Sequence, residues 1–291
     1  MLKCAPGKDH GDGSCYSIES LRTIAQAYNS KMMKESYGNK YVAKDQLIKI
    51  SNNRANMINQ LKTRLKEFCN SDEKCWKDLD FVKSMEDLEI DKFTFRPDGP
   101  QGRWAWLSTL DIDDVMEQYK SKYRDFKFLG TVPIDFDSLP VLGIKNLDFN
   151  DLEKEGYTKV GLVMNTDEHY KSGQHWIAAF MDFNKQSNGK YGRVYFFDSV
   201  GTPPETRVRR FLARGVKHLQ NKYKLKHVRD IDIYYNHKQH QKKNTECGVY
   251  SMNFLLRLLK GETFQEIIDR KMSDVEVNQC RDVYFSNVGK E

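Results

Sequence analysis

No stretch of the 291 residues approaches the ~18 consecutive apolar positions that a membrane-spanning helix needs, which leaves no candidate span. The opening residues MLKCAPGKDHGDGSC lack the apolar run of a secretory signal, so a soluble, non-secreted protein is expected. Six cysteines, at 4, 15, 69, 75, 247 and 280, form no CxxC pair and no zinc-ligand spacing, and free thiols in a reducing compartment are expected. Cys4, His10 and Cys15 lie close together but match no zinc pattern, so neither a metal nor a cofactor is expected. There is no internal repeat and no arginine-rich block. The net charge of +6 comes from 47 basic and 41 acidic residues in mixed runs such as NKYKLKHVRD. A solvated surface explains that balance, and the basic surface leaves room for a weak DNA or peptide activator.

The densest signal lies in QKKNTECGVYSMNF, residues 241–254. From Cys247 onward, Val249, Tyr250, Met252, Phe254, Leu255, Leu256, Leu258 and Leu259 run to Gly261, the density of a buried helix closed by a glycine cap. A cysteine on the first turn meets unpaired backbone N–H groups and the positive end of the helix dipole, which favour thiolate over thiol. Cys247 is therefore the candidate nucleophile; the alternative is an inert core cysteine. Gly248 is expected to let a substrate backbone approach closely. Cys15, at the start of another predicted helix, is a rival nucleophile by the same dipole argument, but no base is well placed around it.

The spacing of Ile18, Leu21, Ile24, Ala25 and Tyr28 predicts a helix from near Ser14. A second is predicted over Lys44–Phe68 and a third over Lys74–Met85, giving an N-terminal helical domain over residues 1–85. The segment FRPDGPQGRWAWLSTLD is a loop, since two prolines and two glycines prevent regular structure, and Ser108 or Thr109 then caps a helix through about Tyr123. Strands follow in KFLGTVPIDF, KVGLVMN, HWIAAFMDF, GRVYFFDSV and HVRDIDIYYN. Helices are expected over 147–155 and 204–223, from Cys247, and over 263–271 and 273–285. Helices and strands interleave around a central hairpin, so residues 86–291 read as an α+β domain with a mixed sheet flanked by helices.

If the strands beginning at His175 and ending at Asp198 form an antiparallel hairpin about the turn NKQSNGK, paired positions sum to about 373 or 374. His175 then faces Asp198 at the open end, where the carboxylate fixes the imidazole tautomer and holds the imidazolium. Gln241, six residues before Cys247, could donate with the Cys247 N–H to an oxyanion. His237 and His240 lie closer in sequence but share a polar loop without a partner carboxylate. Trp104 and Trp106 lie beside a Gly-rich loop and fall on one side of an extended segment, while Trp176 follows the base. The three indoles are read as walls of a substrate groove that admits a bare backbone; plain core packing is the alternative.

His175–Trp176, Asp198 at a strand end and Gln241 six residues before Cys247–Gly248 are similar, in order and motif, to the Ulp/sentrin-type (adenain-like) cysteine proteases, over about residues 100–260. HQKKNTECGVYS and NTDEHYKSGQHW resemble most the branch of large cytoplasmic DNA viruses, the African swine fever virus protease type. That resemblance implies a papain-like catalytic domain with His175 as general base, Asp198 as its orienter, Cys247 as nucleophile and Gln241 in the oxyanion hole. The swine fever type has asparagine where Asp198 stands. It also implies a thiol endopeptidase that cleaves viral capsid or core precursors after Gly-Gly-like motifs during virion maturation, in the virion and the host cytoplasm. A SUMO or ubiquitin-like isopeptidase and a catalytically idle binding module on the same fold are the alternatives.

Overall fold

Ser17 sets where the first helix begins: its hydroxyl accepts the N–H of Ser20 at 3.1 Å, and α1 (Ile18–Ser36) follows. Cys15 therefore precedes the helix by a few residues instead of opening it. The structure, a computed structural model, describes residues 4–36, 44–84 and 93–289. It divides into two compact units, Met1–Arg96 and Pro97–Glu291. The boundary expected between residues 85 and 86 lies outside the described residues.

In the first unit the single helix expected over Lys44–Phe68 is broken. Asn29 reaches across to accept the N–H of Ile48 at 2.8 Å and to donate to its carbonyl at 2.9 Å, which takes that segment's backbone out of any helix. Asn53 then caps α2 (Arg54–Arg64), and α3 (Lys66–Cys69) follows after Leu65. The third predicted helix reduces to a 3₁₀ turn, Glu73–Asp78, and α4 (Asp80–Lys83); Met85 lies outside the described residues. Tyr16, fully buried, stacks on Trp76 and meets Phe95 edge-on.

The expectation of six free thiols is overturned here. Disulfides join Cys4 to Cys15 and Cys69 to Cys75, whose Cα atoms stand 5.2 and 5.7 Å apart, leaving Cys247 and Cys280 as the free cysteines. Sequence spacing cannot show which cysteines a fold brings together. Cys15 is thereby removed as a rival nucleophile, and Cys4–His10–Cys15 as a metal site. Among the described residues no group of three or more His, Cys, Asp or Glu is placed to hold a metal ion, and no helix is long and apolar enough to cross a membrane.

The second unit is built on a five-stranded mixed sheet in sequence order: β1 (Phe126–Pro133), β2 (Lys159–Asn165), β3 (Trp176–Asp182), β4 (Arg193–Phe197) and β5 (Asp232–Tyr235). The outer pairs β1–β2 and β4–β5 are parallel, and β2–β3–β4 are antiparallel. Every residue of β3 is buried because both faces are covered. Its side chains alternate between two cores: Trp176, Ala178 and Phe180 enter one, Ile177, Ala179 and Met181 the other. The first core is shared with α5 (Thr109–Glu117) and, after α6 (Phe149–Lys154) and α7 (Thr206–Tyr223) on the opposite face, with α8 (Cys247–Leu259), α9 (Phe264–Asp269), α10 (Asp274–Gln279) and α11 (Arg281–Tyr284). Helix α5 starts from a Ser108–Asp111 capping box and stops at Glu117, short of the expected Tyr123.

Candidate active site

Cys247 is the first residue of α8, and its side chain is buried at the point where the helix leaves the polar loop. The N–H groups of that first turn have no partner within the helix. The Cys247 thiol lies within electrostatic reach of the ring of His175, which stands just before β3. On its other side the His175 Nε2 meets Asp198 Oδ1 at 2.6 Å, so Nδ1 is the nitrogen left for the thiol. Burial pulls the imidazole pKa down and is the largest single influence. The hydrogen bonds and charges of Asp198 and Cys247 together outweigh it and hold the ring up at about 9.

The hairpin that delivers the pair differs by a residue or two from the expected register. It pairs Ala178 with Phe197 and Asp182 with Arg193, so His175 and Asp198 are diagonal neighbours beyond the strand ends, not cross-strand partners. Their side chains still meet because Asp198 is fixed from behind. Its N–H donates to Asn236 Oδ1 at 2.8 Å, the Asn236 Nδ2 donates to its carbonyl at 2.7 Å, and the Val200 N–H donates to its Oδ1 at 2.9 Å.

Gln241 is brought to the same place. Its N–H and that of His240 both donate to the Ser199 carbonyl, at 2.9 and 2.7 Å, which pins the loop to the residue after Asp198. The Ser199 hydroxyl donates to Gln241 Oε1 at 2.6 Å, so the amide Nε2 is the end free for an oxyanion. His240 is instead buried edge-on against Phe197 and Tyr250. Burial first, then repulsion by Lys271, Arg257 and Lys238, lowers its pKa to about 4.

The indoles separate. Trp106, 45 % exposed, and Trp176 line a cleft of about 480 Å³ together with Leu107, Asn165, Asp167 and His169. Trp176 also belongs to the core and donates its Nε1–H to the Leu107 carbonyl at 2.9 Å. Trp104 does not share a face with Trp106. A turn closed by the Ala105 N–H on the Gly102 carbonyl breaks the extended segment, and Trp104 lies 4.7 Å from the Lys243 ammonium. The reading of Gly248 changes as well. A Cβ there would stand 3.2–3.3 Å from Trp176, Ile112 and Leu107, so the close approach it permits is by the protein's own side chains, in place of a substrate backbone.

Several supports of the site were not singled out in the sequence: Ser199, Asn236, and the buried group around Glu246, which is the residue before Cys247. Glu246 pairs with Arg281 at 3.0 Å, with neither side chain exposed, and Asn278 donates to it at 3.3 Å. Asp274 accepts the N–H groups of Lys242 and Lys243. The one signal available was the spacing of Asp274, Asn278 and Arg281, which places them on one helical face.

A family model described as YopJ serine/threonine acetyltransferase matches residues 151–288. The protein named "Putative thiol protease R355" of Acanthamoeba polyphaga mimivirus is 35% identical over 295 residues, covering 99% of this chain and 94% of its own. The chain belongs to this family of viral thiol proteases. The "SUMO-1 cysteine protease S273R" of an African swine fever virus isolate from Kenya is 27% identical over 222 residues, 72% of this chain and 76% of that one. The crystal structure of the African swine fever virus pS273R protease shares the fold, with a TM-score of 0.64 at 19% identity over 98% of this chain and 96% of that one.

This arrangement is chemically competent for acyl transfer: Cys247 would attack a carbonyl as nucleophile, with its own N–H and Gln241 Nε2 as donors to the oxyanion. His175 would give a proton to the leaving amine and then take one from the water that hydrolyses the thioester, with Asp198 orienting its ring.

Proposed function

We propose that this protease cleaves structural precursor proteins of a virus during virion assembly, after Gly-Gly or Gly-X-Gly sites, within virions and at assembly sites in the host cytoplasm. The observation that carries the reading is the cleft shared by Trp106 and Trp176, since Trp176 and Leu107 also touch Gly248 beside the nucleophile. A cleft walled by these two indoles leaves room for an extended backbone and disfavours side chains just before the scissile bond. A viral activator, DNA or peptide, has a counterpart on this chain in residues 206–229, where nine residues are Lys or Arg and none is Asp or Glu. The test is co-expression with candidate capsid and core precursors and mapping of new N-termini by mass spectrometry. A peptide series varying the two residues before the cut completes it, and Leu or Phe accepted there as readily as Gly would sink the Gly-Gly assignment.

The designation of the swine fever relative as a SUMO-1 cysteine protease favours a second reading, removal of a SUMO-like modifier. A SUMO adduct offered beside the precursor separates the two. The acetyltransferase match bears on the acceptor: the same thioester could pass its acyl group to a Ser or Thr hydroxyl in place of water. An acetyl donor with a Ser/Thr peptide is the third arm.

A further inference from the structure

We infer that Arg281 is a positioning residue for Cys247, acting through Glu246: it cancels a buried carboxylate one residue before the nucleophile and ties it to the main chain that carries Trp106. Both side chains are 0 % exposed. The guanidinium donates from Nε to one Glu246 oxygen at 3.2 Å and from Nη2 to the other at 3.0 Å. Nη2 also donates to the Ala105 carbonyl at 2.8 Å. Asn278 Nδ2 and the Thr245 hydroxyl complete the carboxylate's shell, each at 3.3 Å, and Asn278 Nδ2 also donates to the Arg103 carbonyl at 3.0 Å.

An apolar pair of the same volume would hold such a site about as stably, because desolvating two charges costs as much as their attraction returns. The ion pair is placed where charge matters for another reason. Its negative member belongs to the residue before the one whose sulfur must become negative, and an uncompensated carboxylate in a medium of low polarity opposes that ionisation. Arg281 removes the opposition. Other charged groups about this corner include His175 with Asp198 on the sheet side, Asp274, which accepts the N–H groups of Lys242 and Lys243 and the Tyr250 hydroxyl, Glu276 near Tyr250, the Lys243 ammonium over Trp104, and the Arg103–Asp282 pair. On the α5 side the apolar Leu107 and Ile112 meet Gly248. Asp274, Asn278 and Arg281 thus let one face of α10–α11 grip three segments: the loop after Gln241, the residue before Cys247, and the carbonyls before Trp106.

The inference rests on Cys247 being the nucleophile but on no particular substrate, so it is tested on the thiol itself. Full-length Arg281→Met, Glu246→Gln and the double variant are alkylated with iodoacetamide across a pH series, and the labelled cysteine is identified by mass spectrometry. Arg281→Met is expected to raise the pH midpoint of Cys247 labelling, and Glu246→Gln to lower it, each by about one unit; the double variant returns toward wild type. Opposite signs are the mark of a charge effect, whereas loss of packing alone slows labelling in both. Midpoints that both rise, or that both stay put, overturn the inference. Should Arg281→Met fail to fold, Glu246→Gln, which keeps the shape of the carboxylate, decides by its sign. Label appearing on Cys280 in place of Cys247 would instead show that the nucleophile itself is misassigned.

Discussion

The Ser199 hydroxyl holds Gln241 by its amide oxygen, at 2.6 Å, and so decides which end of that amide can donate. Gln241→Ala is expected to lower kcat by ~10²-fold, the usual loss for one oxyanion donor. Ser199→Ala leaves the amide free to rotate and should cost roughly 10-fold, again in kcat. Steady-state kinetics check both, and a loss confined to KM would contradict the oxyanion role.

Asp198 and Cys247 keep the His175 ring protonated up to about pH 9, so the alkaline limb of kcat/KM is expected near that value. Asp198→Asn removes one of the two influences that raise the ring and should move the limb to lower pH, with a smaller loss of rate than Cys247→Ala. The same shift sets a stability dependence. The folded value lies above the ordinary 6.5, so the contribution is whole below pH 6.5 and is lost as pH rises through about 9. Tm measured against pH should therefore fall more steeply over that window for wild type than for His175→Ala.

Cys15→Ser opens the Cys4–Cys15 disulfide and is expected to retain peptidase activity. It should still lower the stability of the first unit by about 2–3 kcal/mol, the entropy of a loop of that size. Thermal unfolding with and without reductant, read beside peptide turnover, checks the separation. An inactive Cys15→Ser protein with an intact second unit would refute it.

Trp106 and Gly248 should fail in different ways. Trp106→Ala removes an exposed side chain, so stability is expected to hold within ~0.5 kcal/mol. Its kcat/KM on Gly-Gly peptides should nevertheless drop. Gly248→Ala forces a Cβ to 3.2 Å from Trp176 and should cost about 1–3 kcal/mol of stability together with activity. Unfolding midpoints paired with kinetics distinguish the two.

Residues whose work follows from local chemistry were legible in the sequence. Cys247 stands at the head of an apolar run, and continuous apolar runs place β2 and β3 to within a residue and β4 to within three. His175 and Asp198 were paired by spacing, although the register that joins them was wrong, because a diagonal contact held by Asn236 leaves no trace in a pairing rule. Ser199, Asn236 and Arg281 act across 42, 38 and 35 positions of chain, on partners that only the folded structure supplies. Both disulfides escaped notice for the same reason. Trp104 was misplaced because a turn at Gly102 interrupted a segment read as extended.

The pairing of Glu246 with Arg281 also orders events during synthesis. When Cys247 first emerges from a ribosome, the guanidinium that will pair with Glu246 has not yet followed it out. At ~5–20 residues per second the gap lasts a few seconds. Through that interval the Glu246 carboxylate lacks its Arg281 partner, the loop after Gln241 has no Asp274 to hold it, and the carbonyl of Ala105 lacks its Arg281 donor. The corner around Cys247 is thus expected to assemble only after α10 and α11 have left the ribosome.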